Sequence, residues 1–70
     1  SIEYFVPKGG HVRLEIYNAS GQLIEVLADG WRAPGSHLAV WNAHNRASGT
    51  YFYRFRFGAF TDTRKMVLLK

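Results

Sequence analysis

Residues 50–57 read Thr-Tyr-Phe-Tyr-Arg-Phe-Arg-Phe, and this stretch decides the fold class. Successive side chains of an extended chain point to opposite faces. The four aromatic residues at positions 51, 53, 55 and 57 therefore share one face, and Phe52, Arg54 and Arg56 share the other. Because buried aromatic rings cover large apolar areas, the stretch predicts a β-strand that supplies much of a hydrophobic core.

Outward from this stretch, short extended segments recur between Gly, Pro, Asn and Ser, and helical periodicity is nearly absent. Val12, Leu14 and Ile16 alternate with polar residues, which is typical of a strand with one buried face. Asn18-Ala19-Ser20-Gly21 predicts a turn because Gly21 accepts positive φ and Asn18 can bond its own backbone. The predicted strands cover residues 2–6, 11–17, 22–27, 37–41, 50–57 and 61–69.

The intervening segments leave some alternatives open. Residues 28–36 contain Asp29-Gly30 and Pro34-Gly35 and predict a loop, in which Trp31 either caps the core or presents its ring to a sugar. Residues 37–41 are largely apolar on both faces, so burial of both faces and exposure of one aromatic are equally compatible. Six strands with turn signals about every 8–12 residues predict an all-β fold, a sandwich or small barrel.

Length and composition limit the range of functions. Seventy residues make a single domain, 1–70, and the absence of cysteine excludes disulfides and thiolate metal sites. The net charge of +4 permits weak attraction to anionic polymers or anionic lipid surfaces. The sequence contains no signal peptide or transmembrane stretch and opens almost directly in a strand-like segment, so we expect it to be part of a longer protein.

The residues that could carry chemistry do not form a recognisable site. The histidines lack metal-ligand spacing, the serines lie in turns without a nucleophile elbow, and the glycines match no nucleotide-binding loop. We therefore predict no catalytic residue, no metal and no cofactor, and a protein that is not an enzyme. The face of Phe52, Arg54 and Arg56 has a composition that can bind single-stranded nucleic acid, but no RNP1 pattern accompanies it, and we predict no nucleic-acid partner.

Taken in order, a set of short motifs resembles the C-terminal sorting domain (type A) of the type IX secretion system. The set begins at Tyr4-x-x-Pro7 and ends at Thr63-Arg64-Lys65-Met66-Val67-Leu68-Leu69-Lys70, so it covers essentially the whole chain. The motif positions carried over as structural are Pro7, Gly10, Val12, Tyr17, Gly21, Gly35, Trp41, Gly49 and Tyr51. The chain departs from the family at Asn18 and at Asn42-Ala43, where Asp and Asp-Gly are expected, and in its short loop to Gly49.

The resemblance implies a small immunoglobulin/fibronectin-like antiparallel β-sandwich of six to seven strands. It also implies a sorting or attachment signal at the C-terminus of a secreted protein. Such a signal is recognised by outer-membrane machinery, is often removed by a sortase-like peptidase, and places its parent outside the cell or on the cell surface. The residues expected to be recognised are Lys65, Met66, Val67, Leu68, Leu69 and Lys70.

Other interpretations of the same residues remain. Lys65 to Lys70 can equally be an ordinary core strand, and both roles hold if Val67 and Leu69 face outward while Met66 and Leu68 pack inward, or the reverse. A related family, the immunoglobulin-like domain of the flagellar hook-capping protein, shares most of the pattern. The alternative function is that of an accessory structural or carbohydrate-binding module of a secreted multidomain enzyme, with polysaccharide as the partner.

Overall fold

The computed structural model describes residues 1–69, which form six β-strands in two antiparallel sheets. The predicted all-β sandwich is confirmed. The strands are β1 (Ile2–Val6), β2 (Gly10–Asn18), β3 (Leu23–Arg32), β4 (Gly35–Ala39), β5 (Gly49–Phe57) and β6 (Phe60–Leu68). The larger sheet has the order β3-β2-β5-β6, and β1 and β4 form a two-stranded sheet.

The two sheets enclose one apolar core between them. Alternate residues of β1 face inward and pack on the larger sheet, where the ring of Tyr4 lies 5.2 Å from the ring of Phe55. The most deeply buried side chains are Leu14, Ile16, Val6 and Val12. Because the inward residues of β2 are the apolar members of its alternation, the sequence pattern alone determines which face of this strand is buried.

Glycine and asparagine shape the two hairpin turns. Asn18 Oδ1 accepts hydrogen bonds from the backbone N–H groups of Ser20 and Gln22, both at 3.0 Å, and Gly21 follows with a φ of +84°. This confirms the predicted turn between β2 and β3. Between β5 and β6, Gly58 has a φ of +57° at the first position of a two-residue loop, where a type II′ turn requires glycine.

The predicted loop at residues 28–36 is wrong over most of its length. β3 continues through Asp29 and Gly30 to Arg32, paired with β2 as far as Gly10. Only residues 33 and 34 separate β3 from β4. Arg13 Nη1 donates to the carboxylate of Asp29 at 3.0 Å across the two strands, so these residues form a cross-strand pair rather than a turn. Trp31 therefore lies on a strand and not in a loop.

The fourth strand is shorter at its C-terminal end than predicted. β4 ends at Ala39, so Trp41 lies beyond it, half-buried, with its ring edge-on to that of Tyr51 at 5.1 Å. Leu38 and Val40 are exposed, and His37 and Ala39 face inward. Of the two alternatives left open for this segment, burial of both faces is therefore wrong.

Candidate functional site

The segment expected to be recognised lies on an edge strand. β6 pairs with β5 along its whole length, from Leu68 opposite Gly49 to Phe60 opposite Phe57. Within residues 1–69, β6 has no neighbouring strand on its other side. An edge strand presents unpaired backbone N–H and C=O groups, which a partner strand can extend. The fold therefore leaves the backbone of the predicted segment accessible along one side.

The side chains at the end of β6 divide between the core and solvent. Met66 packs partly against the core opposite Tyr51, and Leu68 is half-buried on the same face. Val67 is 60% exposed, and Leu69, just beyond the strand, is 83% exposed. The first of the two arrangements predicted for this segment is confirmed, while Lys70 lies outside the described residues.

The inward side of this segment borders a cleft of about 190 Å³. The start of β1 and the residues after β4 complete the cleft, and its lining consists of Ser1, Ile2, Trp41, Ala43, Met66, Val67 and Leu68. The carboxyl-terminal part of β6 thus combines an unpaired backbone edge, two outward aliphatic side chains and an adjacent apolar recess. This combination suits an extended peptide from another protein.

The motif positions carried over from the sorting family do not converge on one site. Val12 and Tyr51 are buried in the core, and the hydroxyl of Tyr51 donates to the carbonyl of Ala47 at 2.6 Å. Gly10 has no room for a side chain, because a Cβ atom there would lie 2.8 Å from the ring of Phe57. These positions shape the core and the packing around it.

The remaining motif positions lie at the ends of strands or on the outer surface. Gly21 is in the β2–β3 turn, and Gly35 and Gly49 open β4 and β5 with φ values of +124° and +151°. Pro7 follows β1, and the ring of Tyr17 lies under the guanidinium of Arg54 at 4.9 Å. Trp41 packs beside the core. Among these positions it alone also lines the cleft at the end of β6.

Two of the three histidines, His11 and His37, donate side-chain hydrogen bonds within the domain. His11 Nε2 lies 2.7 Å from the carboxylate of Asp29, and His37 Nε2 donates to the carbonyl of Ala33 at 2.7 Å while its ring stacks on Tyr4. Within residues 1–69 no three His, Cys, Asp or Glu side chains come together as metal ligands.

One charged cluster was missed by the sequence analysis. Glu15 lies on the outer face of the larger sheet, yet its side chain is only 6% exposed. Arg13 Nε donates to it at 2.8 Å, and Arg56 Nε lies 3.8 Å from its other oxygen. Burial by itself raises the pKa of the Glu15 carboxyl, but the hydrogen bond from Arg13, the neighbouring Tyr17 hydroxyl and the charges of Arg13 and Arg56 together hold that pKa below its usual value.

The signal for this cluster was present in the sequence but incomplete. The Arg13-x-Glu15 and Arg54-x-Arg56 patterns each place charges on one face of a strand. Their encounter depends on β2 pairing with β5, where Arg13 faces Arg56 and Glu15 faces Arg54. Residues 16–53 separate the two patterns, and no local feature predicts this pairing.

A second cleft, of about 330 Å³, lies beside β1 and is lined by Phe5, Pro7, Phe55, Phe57 and Phe60. Phe5 and Phe60 are largely exposed there. Sugar rings stack against exposed aromatic faces. If the domain binds carbohydrate, this cleft is therefore the place where we expect it to bind.

The described part of the chain, residues 1–69, contains no helix that could span a lipid bilayer. Comparison of the chain with family models, with curated proteins and with solved structures found no match.

Proposed function

We propose that this domain is a non-catalytic sorting and attachment signal, which directs a parent secreted protein across the outer membrane through type IX machinery. The observation that carries the proposal is the open edge of β6, where Val67 and Leu69 project outward beside unpaired backbone. The ordered motifs that resemble the sorting family end in this same segment. The proposal includes outer-membrane machinery as the partner, the cell surface or the medium as the destination, and a domain that catalyses no reaction.

Recognition through β6 follows from the chemistry of an edge strand. A partner strand laid along β6 would gain backbone hydrogen bonds, which are largely independent of sequence. Selectivity would then come from the side chains that alternate along the edge, with Val67 and Leu69 on the outer side. The core would not have to open, because Met66 and Leu68 stay on the inward face.

The proposal is tested by fusing residues 1–70 to the C-terminus of a periplasmic reporter, in a bacterium that has type IX machinery. We expect the fusion without substitutions to deliver the reporter to the cell surface or the medium, with or without removal of the domain. Val67→Asp and Leu69→Asp should leave the reporter in the periplasm, because a charge replaces an apolar contact at the edge. Leu38→Asp is the matched control, since Leu38 is 65% exposed and lies on β4, in the other sheet from β6.

Thermal melts of the purified variants establish that each one folds before the secretion results are compared. Retention of the intact fusion in the periplasm would contradict the proposal. Equal export of Val67→Asp and Leu38→Asp would contradict recognition through the edge of β6.

The alternative function is that of a carbohydrate-binding accessory module, and the cleft with Phe5 and Phe60 favours it. Other exposed aromatic surface is dispersed, because Trp31 lies on β3, in the other sheet from Phe5. Binding of the domain to an insoluble polysaccharide in a pull-down, lost in Phe60→Ala and retained in Trp31→Ala, would favour this alternative over sorting.

A further inference from the structure

The outer face of the larger sheet has a basic centre. Residues opposite each other on paired strands share a face. The basic side chains that lie on this face within residues 1–69 are Arg13 of β2, Arg54 and Arg56 of β5, and Lys65 of β6. Glu15 and Asp29 are the carboxylates on the same face, so four cations stand against two anions there.

The positive charge on this face is incompletely neutralised by the protein itself. Arg13 bonds both carboxylates, so Arg54, Arg56 and Lys65 retain most of the unpaired charge. Arg56 is 49% exposed and its Nε lies 3.8 Å from Glu15, which is longer than a hydrogen bond. Arg13 and Arg56 also stand directly opposite each other, an arrangement that costs stability and that an added anion would relieve.

Exposed apolar side chains border the basic centre on both sides. On β3 these are Leu23, Val26 and Trp31, whose cross-strand partners on β2 are Tyr17, Glu15 and His11. On β6 the border is Val67, opposite Thr50. Trp31 is 65% exposed, although one edge of its ring passes close to Gly9.

The opposite side of the domain has a different character. The outward side chains of β1 and β4 are Glu3, Phe5, Ser36 and Leu38. This face carries a carboxylate and, among the residues of these two strands, no lysine or arginine. The two outer faces of the sandwich therefore differ in charge, and only one combines cations with an apolar border.

The combination of groups distinguishes between anionic ligands. Single-stranded nucleic acid would use the cations and could stack on Trp31, but Arg54 already covers the ring of Tyr17, and Leu23 and Val26 would have no role. An acidic polysaccharide would use the cations and would leave Leu23, Val26 and Val67 without a role. A lipid surface uses both sets, since headgroups meet Lys and Arg while aliphatic and tryptophan side chains enter the interface.

We propose that the outer face of the larger sheet docks on a membrane surface rich in anionic lipid. Arg54, Arg56 and Lys65 contact the headgroups, and Trp31 with its aliphatic neighbours enters the interfacial layer. This role shares Lys65 and Val67 with strand recognition at β6 but uses the outer face of the sheet rather than the unpaired backbone edge. It is tested on the purified 70-residue chain alone, so a failure here leaves the secretion experiment unaffected.

The first test uses tryptophan fluorescence, because Trp31 and Trp41 are the only tryptophans in the chain. Vesicles of phosphatidylglycerol and phosphatidylcholine in equal parts should shift Trp31 emission to shorter wavelength, and brominated acyl chains should quench it. Trp31→Phe should still bind in co-sedimentation, more weakly, and its remaining Trp41 emission should not shift. Absence of binding to these vesicles at low salt, or a shift that persists in Trp31→Phe, would overturn the proposal.

The second test uses neighbouring residues on opposite faces of β6. Lys65→Gln should weaken vesicle binding about fivefold, since a cation near an anionic leaflet contributes about 1 kcal/mol. Arg64→Gln removes the same charge from the other face and should have a much smaller effect. Equal losses in the two variants would overturn the assignment of lipid binding to this face. Tighter binding to alginate or single-stranded DNA than to the vesicles would replace lipid with that ligand.

Discussion

Glu15 shows how a single carboxylate can control the charge of a sheet face. It is buried beneath Arg13 and Arg56, and the folded protein holds its pKa below the usual value of 4.5. A carboxyl whose pKa is lower in the folded state stabilises the fold fully above its unfolded-state pKa. That stabilisation is lost as the pH falls through the lower, folded-state pKa.

We expect Glu15→Gln to reduce the free energy of unfolding at neutral pH by about 2 kcal/mol, because it removes a charged hydrogen bond and leaves two arginines opposed. The difference from the unmodified protein should shrink in acid, as Glu15 itself becomes protonated. Urea unfolding at a series of pH values measures this. Glu3→Gln on the exposed face of β1 is the control, and a difference that stays constant with pH would contradict the assignment.

Asn18 fixes the turn between β2 and β3 by accepting two backbone hydrogen bonds. We expect Asn18→Ala to lower the free energy of unfolding by about 1–2 kcal/mol. Asn18→Asp keeps the accepting oxygen, and it should cost much less even though the bond to Gln22 Oε1 is lost. Thermal melts of the two variants test this, and equal destabilisation would show that the accepting oxygen is not the important group.

For the secondary-structure elements, the alternation of residues between the two faces of a strand was the reliable sequence signal. The bounds predicted for the first strand agree with β1, and the assignment of faces in β2 and β5 is confirmed. The predicted loop at 28–36 failed because Asp29-Gly30 has the composition of a turn. Pairing with β2, which includes the contact between Arg13 and Asp29, keeps that segment extended instead.

The candidate site was predictable as a segment but not in its orientation. Met66, Val67, Leu68 and Leu69 are all apolar, so either alternate set could face the core. The register that places Met66 opposite Tyr51 settles the choice, and it arises from the β5–β6 hairpin as a whole. The basic outer face was less predictable still, because it joins residues of β2 and β5 that are distant in sequence.

For the whole molecule, stability depends on a small number of deeply buried side chains. A domain of this length has roughly 4–10 kcal/mol of stability in total. We expect Leu14→Ala, at a fully buried position, to cost about 3 kcal/mol and to shift the urea midpoint strongly. Leu38→Ala, on the exposed face of β4, should have little effect, and similar shifts in both variants would contradict the assignment of the core.

The pairing of β1 with β4 has a consequence for how the domain forms. Ile2 pairs with Ala39 and Val6 with Gly35, whereas the β2–β3 and β5–β6 pairs are closed by short turns. During synthesis, β1 is the first of the six strands to leave the ribosome, and it stays without its partner until β4 has emerged. β2 and β3 are made in between, so β1 has no partner strand while they form their hairpin, and during that time Ile2, Tyr4 and Val6 need shielding from other chains.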